Sequence, residues 1–326
     1  MQLREKLYFY KGIRGDKIAR GVGTCNTVIL GQHDLILIDP GESIKKCLRS
    51  LTTLIQKDQL DVRRIKKLLF THVHFDHANA AAQIQAASGC EIHTHPEDVH
   101  SLEKPSTEYE RMILPIMATK IYPNVPLSWA RFFTDLTMGS RSPAKVSGTL
   151  CNRQIIRHEN LAIDPIFTPG HAPGHIGYYI PEYKAFIAGD IIDREMDGII
   201  DSGGCVNNMH SSWTDHLRTL EFITALDIDL YIPGHGDPIE GKSAVQAFIA
   251  RNREISLKKP HRILSGLHPY GSTLRDAMRV IYPTLPFTQT LVKKIEVLLI
   301  LHHLINEQKI ERISTRGTAR WRPVKS

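Results

Sequence analysis

Between His72 and His77 the chain places four side chains that can bind a transition metal: His72, His74, Asp76 and His77. They follow the short apolar run Ile65 to Phe70, which reads as a buried strand. His72 and His74 are two positions apart, so on an extended backbone they project from the same face and can grip one metal. Asp76 and His77 fall where the strand must end and the small residues Ala78, Asn79, Ala80 and Ala81 begin. A turn into a helix there would swing both side chains towards a second metal, about 3.5–4 Å from the first. Neutral imidazole suits zinc, iron or copper, and the carboxylate adds a hard anionic ligand.

His72-Val73-His74-Phe75-Asp76-His77 resembles the HxHxDH signature of the metallo-β-lactamase superfamily, and later stretches follow in that family's order over residues 5 to 240. Asp39-Pro40-Gly41 puts an acidic residue at a sharp turn; the resemblance implies that this Asp sits beneath the metals and hydrogen-bonds a ligand. Thr168-Pro169-Gly170-His171-Ala172-Pro173-Gly174-His175 resembles the family's TPGHTPGH. That implies His171 as a ligand and His175 as a pocket residue or a support beneath the ligands. Asp190 ends the strand Lys184 to Ala188, where a buried carboxylate is costly unless ionised against a cation; in the family this Asp bridges both metals. Glycine-flanked His235 completes the set. The resemblance thus implies His72, His74 and His171 on one metal, Asp76, His77 and His235 on the other, and Asp190 shared. Asp76 would also orient the attacking hydroxide, and His210 would lie near the substrate. His93 and His95 repeat the i, i+2 spacing, but no Asp-His follows them and they are not counted as ligands.

To carry these side chains, 326 residues suffice for one large α/β domain and a smaller one. The expected fold is the four-layer αβ/βα sandwich of the superfamily over residues 1–240, followed by a winged-helix-like module over 241–326. Residues 97–150 interrupt the αβ rhythm with Met, aromatic residues and proline. They are read as a lid, a pocket wall or a satellite helical pair, with Arg111, Arg131 and Arg141 facing an anionic substrate in the lid case. Composition is that of a soluble globular chain, 42% apolar and 23% charged. The start lacks a signal-peptide core and no aliphatic run is long enough to span a bilayer, so the expectation is a cytoplasmic protein with no membrane partner. Five scattered cysteines argue against a disulfide framework and a thiolate zinc site; Cys205 alone falls in a loop expected near the metals.

The net charge of +7 is uneven: from Glu240 onward there are 16 Lys/Arg against 6 Asp/Glu. That end reads as helices over Lys242 to Lys259, Ser272 to Ile281 and Thr288 to Asn306, then a hairpin turning at Arg316-Gly317. The order resembles the appended winged helix of one branch of the superfamily, some of whose members are endoribonucleases. Lys293, Lys294, Arg316, Arg320 and Arg322 are therefore the candidate nucleic-acid contacts, while a wing in this position also suits a homodimer contact or a cover over the pocket. The expected activity is a hydrolase with two zinc ions, iron or manganese being alternatives, that uses a metal-bridging hydroxide. Two substrate classes stay open: single-stranded RNA, or a small thioester, ester or lactone as in glyoxalase II and the lactonases.

Overall fold

The computed structural model describes residues 2–12, 25–105, 141–192, 210–284, 290–315 and 317–324. Its first sheet contains β1 (Gln2–Arg4), β2 (Leu7–Tyr10), β3 (Thr27–Leu30), β4 (Leu35–Ile38), β5 (Ile65–Leu69), β6 (Glu91–Thr94) and β7 (Gly148–Thr149), in that spatial order. The second contains β8 (Ile156–His158), β9 (Leu161–Phe167), β10 (Ile176–Ile180), β11 (Ala185–Gly189), β12 (Leu230–Pro233) and β13 (Ile239–Glu240), each beside the next. Helices α1 (Lys45–Lys57), α2 (Phe75–Ala78), α3 (Ala81–Ser88) and α4 (Val99–Glu103) belong to the first half, and α5 (Trp213–Thr224) precedes β12.

Alternation along the strands sorts the core into layers. On β4, Leu35 and Leu37 pack outward with Leu51 and Ile55 of α1 and Ile84 of α3. Ile36 and Ile38 face inward, meeting Ile163, Ile176 and Tyr178 of the second sheet. On β11 and β12, Ile187, Leu230 and Ile232 join that inner layer. Phe186, Ala188 and Tyr231 pack on the far side with Leu220 and Ile223 of α5. Helix, sheet, sheet and helix thus form the expected sandwich. β10 is buried on nearly its whole length, which hides the period-2 signal from sequence; the run Ile176-Gly-Tyr-Tyr-Ile, rich in β-favouring types, was the available cue.

The C-terminal elements are α6 (Lys242–Gly266), α7 (Leu274–Ile281), α8 (Thr290–Asn306) and the antiparallel hairpin β14 (Ile310–Thr315) and β15 (Thr318–Pro323). They occur in the expected order with two corrections. α6 does not end before Pro260 but runs through it. The ring forfeits one backbone hydrogen bond, while the added turn buries Ile263 beside Ile295 and Leu298 of α8 and brings Leu267 to the same cluster. α7 starts two residues later than expected, at Leu274: Thr273 and Asp276 form a capping box, while Ser272 pairs its backbone with Trp321. No described helix is long and apolar enough to cross a membrane. Most of the 97–150 insertion, with Arg111 and Arg131, lies outside the described residues, as do Cys205 and Arg316.

Candidate metal centre

Strand geometry and one helical turn assemble the first half of the site. β5 ends at Leu69, and the chain bends at Thr71 before His74, which stands at the N-cap position of α2 with φ −64° and ψ 161°. Asp76 and His77 then occupy the first turn. The other contributors sit where strands end: Asp39 after β4, His171 in the loop after β9, Asp190 after β11 and His235 after β12. All lie at one end of the two sheets.

Two groups of donor atoms result. The Nε2 of His171 is 2.9 Å from Nδ1 of His74 and 3.2 Å from Nε2 of His72. On the other side, Nε2 of His235 is 3.2 Å from Oδ2 of Asp76, and Nε2 of His77 is 3.9 Å from the same oxygen. Asp190 stands between the groups. Its Oδ1 is 3.2 Å from His77 Nε2, and its Oδ2 is 3.5 Å from His235 Nε2, 3.6 Å from His171 Nε2 and 3.9 Å from His72 Nε2. Each of the triads His72/His74/His171, His72/His77/Asp190 and Asp76/His77/His235 keeps its ligand atoms within 4.8 Å of one another.

Hydrogen bonding beneath the site decides which nitrogens are bare. Asp39 has a left-handed φ of 56°, a conformation Asp tolerates better than most residues. Its Oδ1 accepts the Thr71 N–H at 2.7 Å, and its Oδ2 accepts the Thr71 hydroxyl at 2.6 Å and the His77 Nδ1–H at 2.9 Å. In its neutral form His77 therefore turns a bare Nε2 towards Asp190 and Asp76. The Thr71 hydroxyl, having donated to Asp39, can only accept from His72 Nδ1 at 3.1 Å, which leaves His72 Nε2 bare as well. His175 lies below: its Nε2 accepts the Asp190 N–H at 3.2 Å, its Nδ1 is 2.8 Å from the Thr168 hydroxyl, and its ring stacks on His72 at 5.2 Å. Close approach demands glycine at 234, where a Cβ would lie 1.9 Å from Asp190 Oδ1.

The electrostatics follow from that crowding. Burial, reinforced by the neighbouring imidazoles, holds His72 well below the usual histidine range, and His74 down at about 3. His77 is pushed the other way: burial opposes its protonation, but the Asp190 carboxylate leads a set of anions that raise it well above that range. Burial would raise Asp76 and Asp190, yet His77 and His235 together outweigh it, keeping Asp76 at about 2 and Asp190 well below an ordinary carboxylate. Asp190 Oδ1 and His77 Nε2 are buried with no hydrogen-bond partner. Bare imidazole nitrogens converging with ionised carboxylates form a donor set that suits divalent cations, and the residues present fit two of them.

Exposure shows where the site opens. The His72, His77 and His171 side chains are fully buried, whereas Asp76 and His235 keep 13% and 12% exposure. His210 is exposed at the rim, beside Ser211, whose hydroxyl donates to the His171 carbonyl at 2.9 Å. Beyond it α5 braces the His171 loop: Thr219 donates to the Pro169 carbonyl at 2.7 Å, and a Cβ on Gly170 would meet the His216 backbone at 2.6 Å. His93 and His95 take no part: His93 pairs with Glu91, and His95 lies tilted against the Phe167 ring.

Two expectations need correction, at Lys293 and at Arg141. Lys293 is not a surface contact: its side chain is 3% exposed and its ammonium lies 3.0 Å from Glu296, because its face of α8 packs into the core. Arg322 pairs with Glu311 at 2.8 Å, and Arg320 donates to the Gly271 carbonyl at 3.0 Å. Lys294 keeps partial exposure. Arg141, expected to face an anionic substrate in the lid case, instead donates to the Val73 carbonyl and the Asn79 side chain of the metal loop, a role with no local sequence signal.

Comparison with known proteins agrees with this geometry. A family model described as the metallo-beta-lactamase superfamily matches residues 20–235. A probable metallo-hydrolase of Bacillus subtilis is 22% identical over 240 residues, 71% of this chain and 72% of that one. A hydroxyacylglutathione hydrolase of Haemophilus influenzae is 25% identical over 213 residues, 65% of this chain and 84% of its own. A metallo-beta-lactamase family protein of known structure from Thermus thermophilus superposes with a TM-score of 0.78 at 18% identity, over 99% of this chain and 100% of the other. That last likeness concerns the fold alone and includes the C-terminal helices.

Proposed function

This chain belongs to the metallo-β-lactamase superfamily and is a hydrolase of that group, and we propose that it is a dinuclear, zinc-dependent enzyme acting on a small thioester or related ester. The observation that supports the dinuclear reading is Asp190, which stands between the two groups of imidazoles, with Oδ1 nearest His77 and Oδ2 within 3.9 Å of His171, His72 and His235. His72, His74 and His171 would hold one metal, Asp76, His77 and His235 the other, with Asp190 common to both. When bound, the cations supply Lewis acidity, acidifying water and withdrawing charge from the scissile group. The chain does the rest. Asp39 fixes the His77 tautomer through Nδ1, and Thr71 does the same for His72. Asp76, held ionised at the open edge, is placed to accept a hydrogen of the attacking water and aim its lone pair.

The thioester reading is favoured by the hydroxyacylglutathione hydrolase relative and by the fate of the basic residues, since Lys293 is buried and Arg322 is paired. The second reading, single-stranded RNA, rests on the winged-helix-like order of the C-terminal elements and the charge excess there. One assay separates them: zinc-loaded protein against a glutathione thioester, an acyl lactone and single-stranded RNA. Turnover of the thioester or lactone, lost by about 10²-fold or more in Asp76→Asn with little change in KM, is expected. Turnover of RNA alone, with binding that weakens steeply as salt rises, would transfer the assignment to a ribonuclease.

A further inference from the structure

The loop from Thr71 to Asn79 bears four of the seven candidate ligands, and its backbone between strand and helix lies outside the regular hydrogen-bond ladders. The Val73 carbonyl, between His72 and His74, is among the groups left over. Its partner comes from far along the chain. Arg141 donates through Nη2 to the Val73 carbonyl at 2.8 Å and through Nε to the Asn79 side-chain oxygen at 2.8 Å. Its guanidinium also lies over the Phe75 ring, 5.0 Å from the centroid. One side chain thus touches the loop before His74, beside Asp76 and beyond His77. Asn79 is fully buried and Val73 nearly so, so these are partly buried contacts to a charged donor, worth more than surface hydrogen bonds.

The base of Arg141 is itself held. Ala144 donates its N–H to the Leu102 carbonyl at 3.0 Å, Ser147 to the Ile92 carbonyl at 2.8 Å, and Lys145 to the Gln85 side chain at 3.0 Å. α3, α4 and β6 therefore support the segment from which the guanidinium reaches. We propose that Arg141 is a positioning residue for the metal centre, a fork that sets the spacing of His72 and His74 relative to Asp76 and His77. The inference rests on the reading of those residues as metal ligands. Planarity matters: two donors in a rigid fork span the carbonyl and the amide at once, which a lysine ammonium cannot do.

The test compares Arg141→Ala, Arg141→Lys, Asn79→Ala and the Arg141→Ala/Asn79→Ala pair with the parent. Zinc affinity is read by chelator competition, the cobalt-substituted centre by its visible spectrum, and the metal-free protein by thermal unfolding. Both Arg141 variants are expected to bind zinc about 10–100-fold more weakly, as when a group orienting a ligand is lost, with an altered cobalt spectrum. The pair should be no weaker than Arg141→Ala alone, since both changes remove one shared interaction. If Arg141→Ala fails to fold, Arg141→Lys and Asn79→Ala decide on the same readouts. Parent-like affinity and spectrum in the Arg141 variants, even with a lowered metal-free melting temperature, overturn the positioning role and leave the metal centre standing. A parent that takes up neither zinc nor cobalt overturns the metal reading and this inference together.

Discussion

The metal cradle and the Lys259–Glu296–Lys293 cluster both bury ionisable groups, yet they resolve the cost of burial in opposite ways. In the C-terminal helices Glu296 is fully buried, and each of its oxygens has donors. Lys259 lies 2.5 Å from Oε1, Lys293 lies 3.0 Å from Oε2, and the Tyr282 hydroxyl donates to Oε1 at 2.6 Å. The ammonium groups also sit over the Trp213 and Tyr282 rings. The set is closed: every charge finds its partner within the chain. In the cradle, imidazoles face imidazoles and Asp190 faces Asp76 across His77 and His235. Like groups are held together at a common point, an arrangement that a cation from outside would complete. Burial is therefore no guide to function by itself; the informative feature is whether the partner of each buried group belongs to the chain.

The largest expected effect breaks the cradle. Asp190→Ala should abolish loading of both metals, lowering affinity by more than about 10²-fold, measured as metal content after dialysis. Loss of one metal only would mean that Asp190 is not shared. Glu296→Ala is the matching change on the closed set. It leaves two buried ammonium groups without their anion and should cost about 3–5 kcal/mol of unfolding free energy in urea, with metal content per folded molecule unchanged. A parallel loss of metal would show that the two regions are coupled.

A smaller effect appears on acidification. Burial would raise the Glu296 carboxyl, but Lys259 and Lys293 outweigh it and hold it at about 2, against an ordinary 4.5. A depressed acid binds fewer protons folded than unfolded, so its contribution is whole above 4.5 and drains away as pH falls towards 2. The expected loss from this group is on the order of 3 kcal/mol at most. It is read from urea midpoints between those pH values, and Glu296→Gln should flatten that part of the profile. An unchanged slope in the Gln variant would assign the acid lability elsewhere.

Much of the first half of the site was legible because it is local. A buried strand followed by His-x-His and then Asp-His needs only the period of a strand and one helical turn to aim four ligands, and the structure builds that geometry. Asp39, His171, Asp190 and His235 were reached through motif resemblance, since each sits at its own strand end. The long apolar face of α8 was also readable, but its consequence for Lys293 was not. Helical spacing places Lys293 on a face and leaves open whether α6 and Tyr282 will cover it. Arg141 is opaque for a similar reason: an arginine after a proline-punctuated stretch carries no mark of the carbonyl it will meet.

What the sequence by itself determined is the inventory and its local aim: which residues can bind a metal, which end of which strand carries each, and how two strand-rich halves alternate their faces. Those follow from bonded geometry and from solvent preference, which act over a few residues. The tertiary structure alone decided the rest: that Asp190 stands between two imidazole groups and reaches both, that Thr71 and Asp39 set the tautomers beneath them, that Lys293 is buried against Glu296, and that Arg141 reaches back to Val73 and Asn79. These depend on pairs far apart along the chain, whose distances and shared desolvation exist only once the sheets and helices have packed.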